Sequence, residues 1–193
     1  MRKTLARTIA IIMIIIVSVA LGYAYDRITV NLEKKSHPIP DAYKEIVEKY
    51  AEEYDVPKEI IYSVINTESS FNSAAVSDSG AIGLMQIMPE TFEWIAMKIG
   101  ENPSDGLIYD PHTNIRYGTF LLKYLYREFE NWDIAFAAYN AGINRVKNNW
   151  LNNPEYIKDN EIVYIPIDET RNYVKKVNNN IEVYKRLYFN KNN

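Results

Sequence analysis

A long uncharged segment near the N-terminus constrains this chain more than any other feature. Arg2, Lys3 and Arg7 precede an uncharged run from Thr8 to Tyr25 that is rich in Ile, Val and Ala. A helix that crosses a bilayer needs about 20 predominantly apolar residues, with a lower limit near 17. The run is long enough to cross, and basic residues on its N-terminal side favour a cytoplasmic N-terminus.

Residues 1–25 are therefore predicted to be a membrane anchor or a signal sequence. Ser18-Val19-Ala20 resembles the small-residue site at which signal peptides are cleaved. Two outcomes stay open at this point, a single-pass anchor in the cell membrane and a secreted form without the segment. In both, the rest of the chain is expected outside the cytoplasm.

The rest of the chain divides into a short connection and one domain. Residues 26–39 mix charge with proline and lack apolar periodicity, so they are predicted to be a linker. Residues 40–190 have the length of one globular domain with its own core.

Composition excludes several classes of site. The chain has no cysteine, which excludes disulfides, thiol catalysis, cysteine-based zinc sites and lipid attachment through a cysteine. His37 and His112 are far apart and lack metal-ligand spacing, so neither a metal nor another cofactor is expected. Of 22 Lys and Arg, three precede the apolar run, which leaves 19 against 25 Asp and Glu. That balance does not favour nucleic acid as a partner.

Helical patterns dominate the predicted domain. Apolar spacing together with Pro and Gly punctuation predicts six helices: Asp41 to Tyr54, Pro57 to about Ser70, Pro89 to Gly100, Pro111 to about Glu130 after the N-cap Asp110, Trp132 to Ala141, and Asp168 to about Tyr188. Residues 72–83 and 151–166 are predicted to be irregular, and no run alternates long enough for a strand. The fold class is therefore mainly α.

One carboxylate lies on the apolar face of the second predicted helix. Ile61, Val64 and Ile65 form a stripe, and Glu68 continues it at helical spacing. Partial burial would raise the pKa of this carboxyl, as a general acid near neutral pH requires. The alternative is an ordinary solvated or ion-paired glutamate at the helix end.

Two later segments add polar groups that suit a binding groove. Gln86 carries an amide among apolar residues and, if buried, needs partners that a sugar N-acetyl or hydroxyl group would supply. Met88 offers a thioether for the face of a sugar ring. Tyr139 and Asn140 place polar groups at a predicted helix end. Core packing is the alternative for Met88, and a hydrogen bond to the backbone is the alternative for Tyr139.

Six motifs in a fixed order carry a resemblance to a known family. They are Glu68-Ser69-Ser70-Phe71, Ser77 with Gly80-Ala81, Gly83-Leu84-Met85-Gln86-Ile87-Met88-Pro89, Asp110-Pro111 with Asn114-Ile115 and Gly118, Ala138-Tyr139-Asn140-Ala141-Gly142, and Glu169-Thr170-Arg171 with Tyr173-Val174. Together they resemble the lytic transglycosylase domain, a relative of goose-type lysozymes, over roughly residues 41–188. The resemblance implies an α-helical, lysozyme-like fold with a saccharide groove.

The resemblance also implies roles for individual residues. Glu68 matches the catalytic acid and base of the family. The positions that line the groove are matched by Ser77, Gln86, Met88, Tyr139 and Asn140. Glu169 and Arg171 match a motif near the groove, without an assigned role, and Arg171 is open as a partner for Glu169 or another acid.

The implied reaction cuts peptidoglycan glycan strands without water. Glu68 protonates the oxygen of the β-1,4 bond between N-acetylmuramic acid and N-acetylglucosamine, and the substrate's own N-acetyl group meets the developing cation. Glu68 then removes the proton of the muramyl 6-hydroxyl, which attacks C1 and leaves a 1,6-anhydromuramyl end. The tethered nucleophile has a high effective concentration.

Two other functions stay open from the sequence. A hydrolytic muramidase on the same fold would need a second carboxylate, for which Asp78 is the nearest candidate. A non-catalytic module that binds the cell wall is the second alternative. Peptidoglycan strands and the cytoplasmic membrane are the expected partners, and cell-wall or secretion machinery is a further one.

Overall fold

The computed structural model describes residues 2–190, with the backbone alone at residues 2–6 and 105. The side chains of Arg2 and Lys3, on which the predicted orientation partly depends, lie outside the described part. The chain divides into two compact units, one that ends at Pro38 and one that begins at Ile39.

The first unit is a single helix, α1, from Arg2 to Ser36. Its part from Arg7 to Ser36 is long and apolar enough to cross a membrane, by length and composition. The helix continues through most of the segment 26–39, which was predicted to be a linker because it lacks apolar periodicity. The reason is that a helix needs no apolar periodicity to persist, and the first residue that breaks this one is Pro38. Side-chain bonds such as Thr29 Oγ1 to the Tyr25 carbonyl (2.9 Å) follow the helical spacing.

The regular elements of the second unit are almost all helices. Its elements are α2 (Asp41–Tyr54), α3 (Lys58–Ser69), α4 (Pro89–Ile99), a 3-10 helix (Asp105–Tyr109), α5 (Pro111–Phe129), α6 (Trp132–Ala141), the short α7 (Ile143–Arg145) with a π-helical turn (Val146–Trp150), β1 (Ile157–Lys158), β2 (Glu161–Ile162) and α8 (Asp168–Tyr184) with a π-helical turn (Lys185–Phe189). The six predicted helices are confirmed to within a few residues.

One short strand pair in the domain was not predicted. β1 and β2 pair antiparallel, with Ile157 opposite Ile162 and Lys158 opposite Glu161. Strands of two residues are too short to show the alternation by which a strand is recognised in sequence. They lie inside the segment 151–166 that was predicted to be irregular.

Local chemistry accounts for where the helices begin and end. The Asp110 carboxylate accepts a hydrogen bond from the Thr113 amide at 2.8 Å, and Pro111 occupies the first turn of α5. Gly100, at φ 75°, ends α4 in the left-handed conformation that glycine adopts without strain.

The helix α3 lies at the centre of the core. All seven residues from Ile60 to Asn66 are buried, so this helix is covered on every side and not along one stripe. It packs against α8 and α2, while α5 packs against α6 and α2. The buried Ser63 hydroxyl is satisfied by the Glu59 carbonyl at 2.6 Å. The C-terminal turn of α3 therefore emerges at the edge of the core.

Candidate active site

Glu68 stands on this last turn of α3, two residues beyond the fully buried run. Its side chain is partly buried. Burial raises the pKa of the Glu68 carboxyl to about 7, the largest influence on it, because a desolvated carboxylate is disfavoured. The predicted desolvation of this residue is confirmed.

Residues of α8 face the same carboxyl and act on it in opposite directions. The Tyr173 hydroxyl, as a hydrogen-bond donor, and the positive charge of Lys176 both lower the pKa of Glu68. The negative charge of Glu169 raises it. These influences are smaller than burial, so Glu68 keeps a pKa near neutrality.

Tyr173 is a functional candidate that the sequence did not single out. Its hydroxyl is buried and makes no hydrogen bond of standard geometry within the described residues. It approaches Glu68 closely enough to act on the carboxyl, and burial followed by Glu68 raises the pKa of Tyr173 itself. Helical spacing places Tyr173 beside Val177 on the buried face of α8, where a tyrosine resembles an ordinary core residue. Its place in the Glu169 to Val174 motif was the available signal.

The end of α3 is also tied to α8 through Thr67. Lys176 Nζ donates to the Thr67 carbonyl at 3.3 Å, and Asn180 Nδ2 donates to Thr67 Oγ1 at 2.9 Å. Lys176 and Asn180 are one helical turn apart, so both reach the residue that precedes Glu68. A cation at this helix end also meets carbonyl groups that lack an intrahelical donor.

The segment from Ala75 to Met88 folds into a tight loop beside this helix end. Gln86 takes a left-handed backbone at φ 48°, and its Nε2 donates to the carbonyls of Ala75 (3.1 Å) and Gly83 (2.9 Å). The NH₂ group of this amide therefore finds its acceptors in its own loop, whereas a sugar group was the partner expected for a buried Gln86. Ser69 Oγ donates to the Leu84 carbonyl at 2.8 Å and joins the loop to α3.

Asn114 of α5 holds this loop in place through hydrogen bonds. The fully buried Asn114 accepts a bond from the Met85 amide at 2.8 Å and donates to the carbonyls of Ile82 (3.0 Å) and Ile108 (2.9 Å). A Cβ at Gly83 would lie 2.4 Å from Asn114 Nδ2, so glycine is required for this approach.

The motif at the end of α6 contacts both the loop and α8. Tyr139 donates its hydroxyl proton to the Met85 carbonyl at 2.8 Å, the backbone bond that the sequence analysis named as the alternative. Burial, followed by the charge of Glu68, raises the pKa of Tyr139 well above its usual value. Asn140 Oδ1 accepts a bond from Thr170 Oγ1 at 2.7 Å. Tyr139 thus binds the loop at Met85 and is within electrostatic range of Glu68.

The other predicted groove residues make their contacts elsewhere and not with Glu68. Ser77 is exposed, and its hydroxyl accepts a bond from the Ala81 amide at 3.0 Å within a turn. Met88 is 40% exposed and immediately precedes α4. Within residues 2–190, no hydrogen bond joins Ser77, Gln86, Met88 or Asn140 to Glu68.

The first residues of α8 pair among themselves. Arg171 forms an ion pair with Asp168, so its acidic partner is Asp168 and not Glu169. Its guanidinium also donates to the Ile165 carbonyl at 2.7 Å and lies 5.0 Å from the centre of the Tyr164 ring. Among the described residues, no group of three or more His, Asp or Glu is placed to hold a metal ion.

A hollow of about 600 Å³ adjoins this centre on the side of Tyr139. It is lined by the first half of α4, by the middle of α5 and by residues 138–147, which include the end of α6 and the start of α7. Tyr139 lines the hollow, and the charge of Glu68 contributes to the raised pKa of this tyrosine.

The family model described as the transglycosylase SLT domain matches residues 45–162. The chain belongs to the SLT transglycosylase family. The matched range contains Glu68 and all five predicted groove residues, and it ends before α8. This membership confirms the family resemblance on which the site prediction was built.

Relatives of the SLT family are similar over most of this chain. The soluble lytic murein transglycosylase of Escherichia coli K12 is 39% identical over 143 residues, which is 72% of this chain and 22% of that protein. The membrane-bound lytic murein transglycosylase C of Edwardsiella ictaluri is 30% identical over 180 residues, 81% of this chain and 49% of that protein. The chain thus spans about a quarter to a half of the length of these relatives.

Solved structures of SLT proteins have the same fold. The 70-kDa soluble lytic transglycosylase of Escherichia coli superposes with a TM-score of 0.72 and 34% identity, over 80% of this chain and 25% of that one. An inactive mutant of a lytic transglycosylase from Pseudomonas aeruginosa gives a TM-score of 0.66 and 32% identity, over 76% of this chain and 24% of that one. The prediction of a mainly α, lysozyme-like domain after an apolar N-terminal helix is confirmed.

Proposed function

We propose that this chain is a peptidoglycan lytic transglycosylase whose acid and base are the same residue, Glu68. The observation that carries the proposal is the pKa of about 7 of a partly buried carboxyl that ends the central helix. Near neutral pH such a group is protonated in a large fraction of molecules, and its conjugate base is strong enough to recover a proton.

In the proposed reaction Glu68 first donates its proton to the glycosidic oxygen, and the C1–O bond of the muramyl residue breaks. The substrate N-acetyl group meets the positive charge at C1. The Glu68 carboxylate then takes the proton of the muramyl 6-hydroxyl, whose oxygen bonds to C1. Glu68 ends the cycle protonated, and the 1,6-anhydromuramyl product is formed without water.

Tyr173 is proposed to stabilise the ionised form of Glu68 between the two steps. After the first proton transfer the Glu68 carboxylate carries a negative charge in a partly desolvated position. The Tyr173 hydroxyl is the hydrogen-bond donor that lowers the pKa of this carboxyl. Lys176 adds a positive charge on the same side. Both favour the ionised intermediate, while burial favours the protonated start and end of the cycle.

The hydrolytic alternative is less well supported by the acids of this site. Asp78 lies exposed in the turn that contains Ser77, and Glu169, which acts on Glu68, is exposed on α8. A water-activating base needs a defined place opposite the acid. Neither of these carboxylates is held by a hydrogen bond within the described residues.

We further propose that α1 anchors the chain in the cell membrane with the catalytic domain outside. The apolar stretch of α1 and the similarity to relatives named membrane-bound support this placement. A single crossing follows from the one apolar helix found among the described residues.

Product analysis of digested peptidoglycan tests the proposed chemistry. The full chain in detergent is incubated with purified sacculi, and the masses of the soluble fragments are measured by mass spectrometry. We expect fragments lighter by one water than hydrolysis would give, with 1,6-anhydromuramyl ends. Reducing ends from the wild type would instead establish the muramidase.

A matched pair of variants assigns the catalyst. Glu68→Gln keeps the shape of the side chain but has no proton to give, so we expect release of fragments to fall by at least about 100-fold. Glu59→Gln, on the first turn of the same helix, is the control and should retain wild-type rates. Undiminished digestion by a folded Glu68→Gln variant would remove Glu68 from the mechanism.

A further inference from the structure

Glu68 lies in the part of α3 that the helix itself holds least firmly. The helix ends at Ser69, and Ser70 takes a left-handed backbone at φ 51°. The last four carbonyl groups of a helix have no intrahelical donor, and helix ends fray. A carboxyl that must keep one place through two proton transfers therefore needs support from outside α3.

The two chain neighbours of Glu68 receive that support. On one side, Ser69 Oγ donates to a backbone carbonyl of the neighbouring loop at 2.8 Å. On the other side, Thr67 Oγ1 accepts a hydrogen bond from Asn180 Nδ2 at 2.9 Å, and the Thr67 carbonyl accepts one from Lys176 Nζ at 3.3 Å. Glu68 thus stands between a neighbour bonded to the loop and a neighbour bonded to α8.

Of the two bonds from α8, the bond from Asn180 is the better shielded from water. Asn180 is 7% exposed, whereas Lys176 is an exposed cation. A hydrogen bond away from water is electrostatically stronger than the same bond in water, and its loss leaves a buried polar group unsatisfied. Asn180 is also neutral, so its influence on Glu68 is one of position and not of charge.

We infer that Asn180 is a positioning residue for the proposed reaction, which fixes the last turn of α3 through Thr67 so that the Glu68 carboxyl keeps one place while it gives up a proton and recovers one. The inference rests on the proposed function, because it takes Glu68 to be both acid and base. Asn180 lies beyond the range that matches the family model, which ends at residue 162. On this inference α8 serves the site as well as the core.

Two substitutions remove the bond without changing a charge. Thr67→Val keeps the shape of the side chain and loses the hydroxyl, and Asn180→Ala loses the amide. Each protein, as the full chain in detergent, is given soluble glycan strands of peptidoglycan, and kcat and KM are measured separately below its melting temperature. We expect each change to lower kcat by about tenfold and to leave KM within about twofold, because a displaced catalytic group slows the chemical step and not substrate binding. Thr67 is only partly buried, so Thr67→Val tests the bond even where Asn180→Ala lowers the melting temperature.

Further variants are the matched controls. Asn179→Ala is the same change at the exposed neighbouring position of α8 and should leave kcat unchanged. Thr67→Ser keeps the hydroxyl and should recover most of the kcat that Thr67→Val loses. The double variant with Thr67→Val and Asn180→Ala should be no slower than the slower single variant, since both changes remove the same bond.

Three results would overturn the inference. An unchanged kcat in Asn180→Ala with a lower melting temperature would make the bond a stabilising contact alone. Equal losses in Thr67→Ser and Thr67→Val would exclude the hydroxyl, and losses that multiply in the double variant would exclude a shared bond. In each case the anhydro ends formed by the wild type still uphold the transglycosylase, whereas reducing ends from the wild type would overturn the proposed function itself.

Discussion

Glu68 gains its reactivity from where its helix ends. The seven residues before its turn are buried on all sides, so the last turn of α3 is the first point at which a side chain meets both core and solvent. The sequence allowed this desolvation to be predicted, because Glu68 continues the spacing of Ile61, Val64 and Ile65. It did not allow the influence of Tyr173 to be predicted, since α8 is about a hundred residues away along the chain.

Lys176 should set the upper end of the active pH range. A general acid must be protonated, so the rate falls as the pH rises through the pKa of Glu68. The charge of Lys176 lowers that pKa, and Lys176→Met should therefore move the fall to higher pH. The pH dependence of kcat/KM is the measurement, with Lys175→Met, an exposed neighbour on the same helix, as the control.

A profile of Lys176→Met that moves to lower pH would contradict this electrostatic role. A uniform loss of rate with no movement of the profile would assign Lys176 to holding the Thr67 carbonyl alone. The two contributions of this lysine are thereby separated.

The loop from Ala75 to Met88 is the element that sequence patterns described least well. Gly80 and Gly83 indicated turns, and Gly83 does approach Asn114 too closely for any side chain. The hydrogen bonds from Asn114 to the loop were not predicted, because a buried asparagine in an amphipathic helix leaves no signal in apolar periodicity. Nor did the pattern reveal that Gln86 would close the loop on itself through Ala75 and Gly83.

Asn114→Ala should destabilise the domain by about 2–4 kcal/mol. The change removes three buried hydrogen bonds and leaves the Met85 amide and the carbonyls of Ile82 and Ile108 without their partner. Urea denaturation followed by circular dichroism measures the loss. Asn148→Ala, an exposed site in the π-helical turn, is the control and should stay within about 0.5 kcal/mol of wild type. An equally small change for Asn114→Ala would mean that the loop does not depend on this clamp.

At the largest scale, the described residues form one long apolar helix and a domain with its own hydrophobic core. Every buried hydrophobic side chain in the described part of the chain lies at Val47 or beyond. The large apolar side chains of α1 from Ile9 to Ile28, and that of Leu32, are by contrast more than half exposed. The helical continuation of α1 to Ser36 was not predicted, because the loss of apolar periodicity was taken as the end of the apolar helix.

A chain that begins at Ile39 should fold and stay in the aqueous phase. It keeps all the buried hydrophobic residues described here and loses only the exposed apolar helix. We expect one cooperative thermal transition and digestion of sacculi at the rate of the full chain in detergent, whereas the full chain partitions with membranes. Aggregation of the shortened chain, or recovery of the full chain in the aqueous fraction, would contradict the division of the molecule.

The titration of Glu68 itself is the most direct test of the proposed mechanism. The domain is labelled with carboxyl-¹³C glutamate, and the signal that disappears in Glu68→Gln is followed by NMR from acid to alkaline pH. We predict a midpoint near 7, since burial raises the pKa of this carboxyl from its ordinary value of 4.5 to about 7. A midpoint near 4.5 would contradict it, because Glu68 would then be ionised at neutral pH and unable to donate the first proton.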